Sequence, residues 1–475
     1  MLLSAVIGLQ ILSPNVCLSL AMQRGAWGRR GHSALSSTRA GADPNSTPSE
    51  TASAKPAPSW EKLSAILDDD APDSSSAPVL TLYRDTNGWC PFCERVWICV
   101  RAKGLPYRER LINLQDKPDW YKEIVPTKNV PAVLFHDDDN VDVSSSGDDG
   151  PKGKPQRRVI WESLDIMIAL DEAFPSTPRL VLDTPEYESA HNRTSTLTSA
   201  GFAYVYGDRN NTLTSEEKEA LKGTFNAELD GLEVDLIERG GPFLLGSNFT
   251  GVDAEIVPLL ERWRFQLPLT IGFDILDDRP ALARWFEAMD EFGPYADRVA
   301  GDEYSWTAVS STFLRIFGGD SPNADAISRS DDAAASLADS FSSVSADDES
   351  AEAAREAAMK ILSNHDAIVA DCTRTDPKSQ KNLPRASDAA TADSVLRFAV
   401  AALLSPEGAV SAAREGLALP DELDGDVVEM RVEAALAART VASRLCAPRD
   451  MGAPAARLLR GVLAIAADRL DAASD

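Results

Sequence analysis

The sequence predicts an α/β domain on a small mixed sheet, followed by two all-α units: a helical domain and a separate helical bundle. Three observations lead there. Between Val79 and Phe174, β-branched and aromatic runs alternate with amphipathic helical patterns in the order β-α-β, then β-β-α. From 184 to 318 helical patterns dominate and no clear strand is legible. After residue 350, four or five Ala-rich patterns carry stripes of Val, Leu, Ile and Ala.

Taken in order, the first 42 residues stand apart. No Asp or Glu precedes Asp43, whereas Arg24, Arg29, Arg30 and Arg39 do. An apolar start, broken by Pro14 and Asn15, runs into a Ser- and Arg-rich stretch, the pattern of a targeting leader. Its two parts resemble a leader for import into a complex algal plastid; a mitochondrial presequence is the alternative, and the apolar run is short for a membrane anchor. Residues 43–78, dominated by Pro, Ser, Ala and Asp, read as a linker with one short amphipathic turn around Trp60–Leu67.

Within 79–176, "VLTLYR" reads as a strand. "CPFCERVWICVRAKG" reads as a helix stopped by Gly104, and "YRERLINL" as a second strand. "PAVLF" and "RVIWE" form an antiparallel pair, and "SLDIMIALDEAF" is an amphipathic helix. This is a thioredoxin-like layout. The stretch 137–157, acidic and then rich in Gly and Pro, is an exposed insertion at a hairpin tip. In the helical domain 184–318, Thr250 stands three residues before Asp253 as a helix-start signal. Residues 319–350 read as a second low-complexity linker, and 351–475 as the bundle, with a helix starting at "SPEG" (405–408).

The 475 residues suffice for two or three domains with hydrophobic cores. A formal net charge of −27 argues against nucleic acid and anionic membranes as partners, since both demand clustered Lys and Arg. Six cysteines are too few for a disulfide scaffold and fit a reducing compartment.

The chemistry concentrates in "GWCPFCER", residues 88–95. A zinc site needs four ligands; no second CxxC exists and the four histidines lie far away in sequence, so no metal is expected. A stable structural disulfide does not suit a reducing compartment, so a reactive thiol remains. Cys90 falls where a strand hands over to a helix, with Pro91 at the first helical position. Unpaired N–H groups of that first turn stabilise a thiolate relative to the thiol. Cys90 is therefore the expected nucleophile. Cys93 lies on the same side of the helix, either as a resolving thiol or as a semi-buried cysteine without a role. Cys99, Cys372 and Cys446 read as core.

"WCPFCERVWICVRAKGLPY", "INLQDKPDWYKEIVPTKNVPAVLF", "WESLDIMIALDEAFP" and "GPFLLGSNFTGVDAEIVPLLERW" together resemble the cysteine-type glutathione transferases, over roughly residues 79–316. The lambda class is most similar, with the omega and dehydroascorbate reductase classes close. The resemblance implies a thioredoxin-like domain followed by an all-α transferase domain. It also implies glutathione as co-substrate and a monomer, with a dimer as the alternative. It makes Cys90 the residue that forms a mixed disulfide with glutathione, with Phe92 beside it. Val130, before a cis Pro131, would pair through its backbone with the cysteinyl part of glutathione. Glu162 and Ser163 would hold the γ-glutamyl end, and Lys117 the glycyl carboxylate. Cys93 departs from the family pattern, in which a small residue is common. The insertion and the bundle lie outside that pattern.

The expected function is glutathione-dependent thiol transfer, reducing small disulfides or glutathionylated small molecules. The alternatives are dehydroascorbate reduction and a non-catalytic ligand-binding or scaffold role for the bundle.

Overall fold

The computed structural model describes residues 57–69, 77–136, 158–208, 212–317, 323–373, 386, 388–415 and 427–472. The leader 1–42, the insertion 137–157 and most of the first linker lie outside them.

Helix α1 (Trp60–Asp69) precedes the sheet domain. That domain runs β1 (Leu80–Asp85), α2 (Pro91–Ala102), β2 (Tyr107–Ile112), α3 (Asp119–Ile124), β3 (Ala132–Phe135), β4 (Val159–Trp161) and α4 (Ser163–Ala173). The sheet order is β2-β1-β3-β4. β1 runs parallel to β2 and antiparallel to β3, and β3 is antiparallel to β4. The domain is thioredoxin-like, as the element order predicts; α3 alone was not foreseen. Helix α2 starts at Pro91, whose missing N–H costs nothing at a first turn, and buries Val96, Trp97, Ile98, Cys99 and Val100. Gly104, at φ 64, reverses the chain after it, a conformation that strains any residue bearing a Cβ.

The helical domain comprises α5 (Pro185–Tyr206), α6 (Ser215–Arg239), α7 (Gly251–Thr270), α8 (Pro280–Glu291), the single turn α9 (Gly293–Ala296) and α10 (Glu303–Phe317). Its core is continuous with the α2–α4 side of the sheet: Val96, Leu170, Leu197, Val257 and Trp263 belong to one buried cluster. The Asp253 carboxylate accepts from the Thr250 N–H and hydroxyl (2.9 and 3.1 Å), as the spacing predicts. It also accepts from the Leu244 N–H and Trp285 Nε1. Four donors offset its burial.

The bundle comprises α12 (Ala351–Thr373), α13 (Ala389–Leu403), α14 (Ala409–Glu415), α15 (Val427–Arg444) and α16 (Ala453–Ala472), after α11 (Ala324–Asp339) and two 3₁₀ turns at Phe341–Ser343 and Ala346–Asp348. It has its own core of Ala, Val and Leu.

Three readings are corrected. The second linker, 319–350, holds α11. Asn323 caps it by accepting from the Ala326 N–H (3.0 Å), and Ala326, Ser330 and Ala334 bury a stripe at fourfold spacing. Small residues disguised that stripe as low complexity. The short turn in the first linker is a ten-residue helix, α1, that belongs to the bundle. Leu63 and Leu67 join the bundle core, and Trp60 Nε1 donates to Asp393 Oδ1 at 2.9 Å. "SPEG" is a turn, and α14 begins only at Ala409. Its first N–H groups, on Ala409 and Val410, donate to the distant Glu349 carboxylate, at 2.8 Å each.

Bundle and helical domain meet through a buried joint. Arg460 pairs with Asp302 and donates to Ser305 Oγ and the Leu445 carbonyl. Ser305 Oγ in turn accepts from the Ala447 N–H at 2.9 Å, and Arg298 donates to the Pro448 carbonyl at 2.7 Å. Cys372 sits in the bundle core, whereas Cys446 is buried against Trp89 and Trp306.

Candidate active site

The sheet brings the ends of β1, β3 and β4 that lead to the candidate residues to one end of its strands. β1 ends at Asp85, and Tyr83 pairs with Ala132. Ala132 also pairs with Trp161 on β4. One residue beyond that pairing lie Pro131 and Glu162, and two beyond Tyr83 lies Asp85. The Val130–Pro131 bond is cis, as the resemblance implies. Tyr121 on α3 is buried, and its hydroxyl donates to the Asn129 carbonyl at 2.6 Å, fixing the backbone that leads into Val130. Glu162 turns the chain at φ 69 and is exposed, and the buried Ser163 opens α4.

Cys90 is the N-cap of α2, in extended backbone, half-buried, with no side-chain capping bond. Its position at a free helix start agrees with the sequence expectation. Phe92 is half-buried and lies against the Arg95 guanidinium, 5.0 Å from the ring centroid. Burial holds Lys117 below the usual lysine range, and the neighbouring Cys90 works in the opposite sense. Lys117 therefore stands within electrostatic reach of the sulfur.

Cys93 is enclosed, at 1% exposure. Burial pushes its thiol well above the ordinary range, reinforced by a hydrogen bond with Cys90 and by the charges of Cys90 and Asp85. Sequence reasoning missed Asp85. One of its carboxylate oxygens and the sulfurs of Cys90 and Cys93 all lie within 4.8 Å of one another. Its Oδ2 accepts the Trp89 N–H at 2.8 Å, closing the Thr86–Gly88 turn that returns the chain to the end of β1. An Asp at a strand end, five residues before the first cysteine, was the available signal.

Beneath the site lies a second unforeseen network. Arg262 on α7 donates to Glu94 Oε2 (2.7 Å) and to the Trp89 carbonyl (3.0 Å), so the helical domain holds the residue preceding Cys90. Trp89 shares a small apolar cluster with Trp306, Val309 and Cys446, flanked by Leu114, Phe265 and Phe313. Among the described residues no helix is long and apolar enough to cross a membrane.

Residues 89–173 match the family described as glutathione S-transferase, N-terminal domain, and residues 215–288 the corresponding C-terminal domain. The chain is 31% identical over 240 residues to "Glutathione S-transferase L2, chloroplastic" of Arabidopsis thaliana, covering 47% of this chain and 70% of that protein. It is 31% identical over 205 residues to "Probable glutathione S-transferase DHAR1, cytosolic" of Oryza sativa subsp. japonica, covering 43% and 81%. A crystal structure of Chlamydomonas reinhardtii dehydroascorbate reductase shares 22% identity across 50% of this chain and 99% of that one. Its TM-score of 0.39 is too low to support inference. The bundle after residue 350 lies beyond both family matches.

Proposed function

Because this chain belongs to the glutathione S-transferase family, with glutathione as the substrate that membership implies, we propose that it is a thiol transferase acting through Cys90. The observation that carries this reading is Cys90 at the open start of α2, half-exposed and free of capping bonds, in a chain whose Val130–Pro131 peptide is cis. In the first step the Cys90 thiolate attacks the glutathionyl sulfur of a mixed disulfide. The old S–S bond breaks, a Cys90–glutathione disulfide forms, and the substrate leaves as its thiolate. A glutathione thiolate then attacks the glutathionyl sulfur on Cys90. Oxidised glutathione leaves and the Cys90 thiolate returns; one free glutathione is consumed per turnover, and the other half of the oxidised glutathione comes from the substrate's own glutathionyl group.

The Val130 backbone would pair with the cysteinyl unit of glutathione. Glu162, Ser163 and the α4 start would hold its γ-glutamyl end, where N–H groups and the helix dipole favour a carboxylate. Lys117 would meet the glycyl carboxylate. Burial of Cys93 supports a monothiol route, because a resolving sulfur must ionise and burial pushes this thiol up. The leader is proposed to direct the protein to a plastid.

Intact-mass analysis after mixing with oxidised glutathione tests the chemistry. One glutathione should add to the wild type and none to Cys90→Ser, and the Ser variant should lose disulfide reduction. Retained activity in that variant would sink the proposal. Parallel assays on dehydroascorbate and hydroxyethyl disulfide separate the two reductase readings.

A further inference from the structure

The CxxC spacing offers only two ligands, too few for a metal site. The fold brings a third. A carboxylate oxygen of Asp85 and the sulfurs of Cys90 and Cys93 lie within 4.8 Å of one another, close to the spacing at which one small cation touches all three. Asp85 is 1% exposed, and its Oδ1 has no hydrogen-bond partner, while Oδ2 takes the Trp89 N–H. The adjacent guanidinium of Arg84 gives it no hydrogen bond. Arg84 donates to Glu109 and to the Asp85 carbonyl oxygen, not to the carboxylate. A buried acceptor without a donor is costly unless something else meets it.

We propose that Asp85, Cys90 and Cys93 form a three-ligand site for a thiophilic divalent cation of the zinc group. Two sulfurs and one carboxylate oxygen are an accepted zinc donor set, and three protein ligands leave the fourth position open. Cys90 is only half-buried, so water or an incoming thiolate can reach the site to complete the shell. Binding displaces the thiol protons, and the cation offsets negative charge that the enclosed site otherwise disfavours. Occupancy takes the Cys90 lone pair, so the cation blocks thiol transfer reversibly. This goes beyond the proposed activity, and its readout is separate from it.

The test is Cd²⁺ titration of the reduced full-length protein, followed by thiolate-to-metal charge-transfer absorption. One Cd²⁺ per chain should bind, with a band intensity corresponding to two thiolates. Cys93→Ser should halve that intensity and Cys90→Ser/Cys93→Ser should abolish it. Asp85→Asn keeps an acceptor for the Trp89 N–H, which preserves the turn. It should keep the two-thiolate band but weaken binding about tenfold or more. Zn²⁺ in large excess should compete with Cd²⁺, and Zn²⁺ alone should slow iodoacetamide labelling of Cys90. Absence of the band, or a band undiminished in the double variant, overturns the site. Unchanged affinity in a folded Asp85→Asn removes the carboxylate from it and overturns the three-ligand proposal. If Cd²⁺ binds while Cys90→Ser still reduces disulfides, the metal site stands and the catalytic reading alone fails.

Discussion

Pro448, in the bundle, stands against Gly88, two residues before Cys90. A Cβ placed on Gly88 would lie 3.1 Å from Pro448 Cγ. Gly88 also sits at φ +66, where a side chain is strained regardless of space. The bundle thus touches the loop that presents the candidate nucleophile. Gly88→Ala should cost about 1–2 kcal/mol in urea unfolding from backbone strain alone. It should also lower kcat/KM by shifting Trp89 and Cys90. Adding Pro448→Ala removes Cγ and should restore part of the activity while leaving the backbone strain. A double-mutant cycle showing no coupling between the two would disconnect the bundle from the site.

Cys93 is enclosed and burial pushes its thiol up, so Cys93→Ser should retain most disulfide-reducing turnover, and its glutathione adduct should remain a single addition at Cys90. Quenched mass spectrometry during turnover reads this directly. A Cys90–Cys93 bridge accumulating in the wild type would instead establish the dithiol route.

What the sequence made legible were local signals. Cys90, Pro91 and Gly104 each state a helix boundary through their own backbone chemistry, and Thr250–Asp253 does so in three residues. Pro131 became identifiable only through family resemblance, because cis geometry leaves no trace in composition. Asp85 was hidden for another reason. It nears the sulfurs only after the Thr86–Gly88 turn folds back, a tertiary fact held by one Trp89 N–H bond. Helix α11 was lost because its buried face is Ala and Ser, which hydrophobic patterning does not register. Trp60–Leu67 looked like a linker because its partner face, on α12 and α13, lies some three hundred residues away along the chain.

The network behind Trp89 predicts a pH dependence. One guanidinium, Arg262, serves two buried carboxylates, Glu94 and Glu261, leaving one negative charge in excess. Burial raises Glu94 to about 7 and Glu261 to about 8. The folded state then binds more protons than the unfolded one between the ordinary carboxylate range and these values. Stability is therefore fully present below the ordinary carboxylate range, falls as pH rises from there to 7–8 at up to about 1.4 kcal/mol per pH unit for each group, and levels off above. Glu261→Gln keeps an acceptor for the Gly301 N–H, which Glu261 Oε1 binds at 2.8 Å, and leaves Arg262 to Glu94 alone. Its unfolding free energy should fall less steeply, the remaining slope being that of Glu94, which burial still raises. An equally steep fall in the variant would place the titration elsewhere.

The joint between bundle and helical domain rests on Arg460, 2% exposed, against Asp302. Arg460 is buried and Asp302 is largely covered, so removing the guanidinium strands a mostly desolvated carboxylate: Arg460→Met should cost about 3 kcal/mol, far more than a surface pair. Burial pushes the Asp302 carboxyl up, but the guanidinium and the Ser305 donors outweigh it and hold it below the ordinary range. That stabilisation disappears with Arg460. Arg460 also donates to Ser305 Oγ, which accepts the Ala447 N–H beside Pro448, so the loss should propagate to the Gly88 contact. Urea unfolding of Arg460→Met, followed by Trp fluorescence and far-ultraviolet dichroism, should show the bundle separating before the transferase core, and Cys446 should become open to alkylation. Arg460→Met combined with Asp302→Asn should recover part of the loss, because the stranded charge is gone. Coincident transitions with Cys446 still protected would mean that the two cores hold together without this pair.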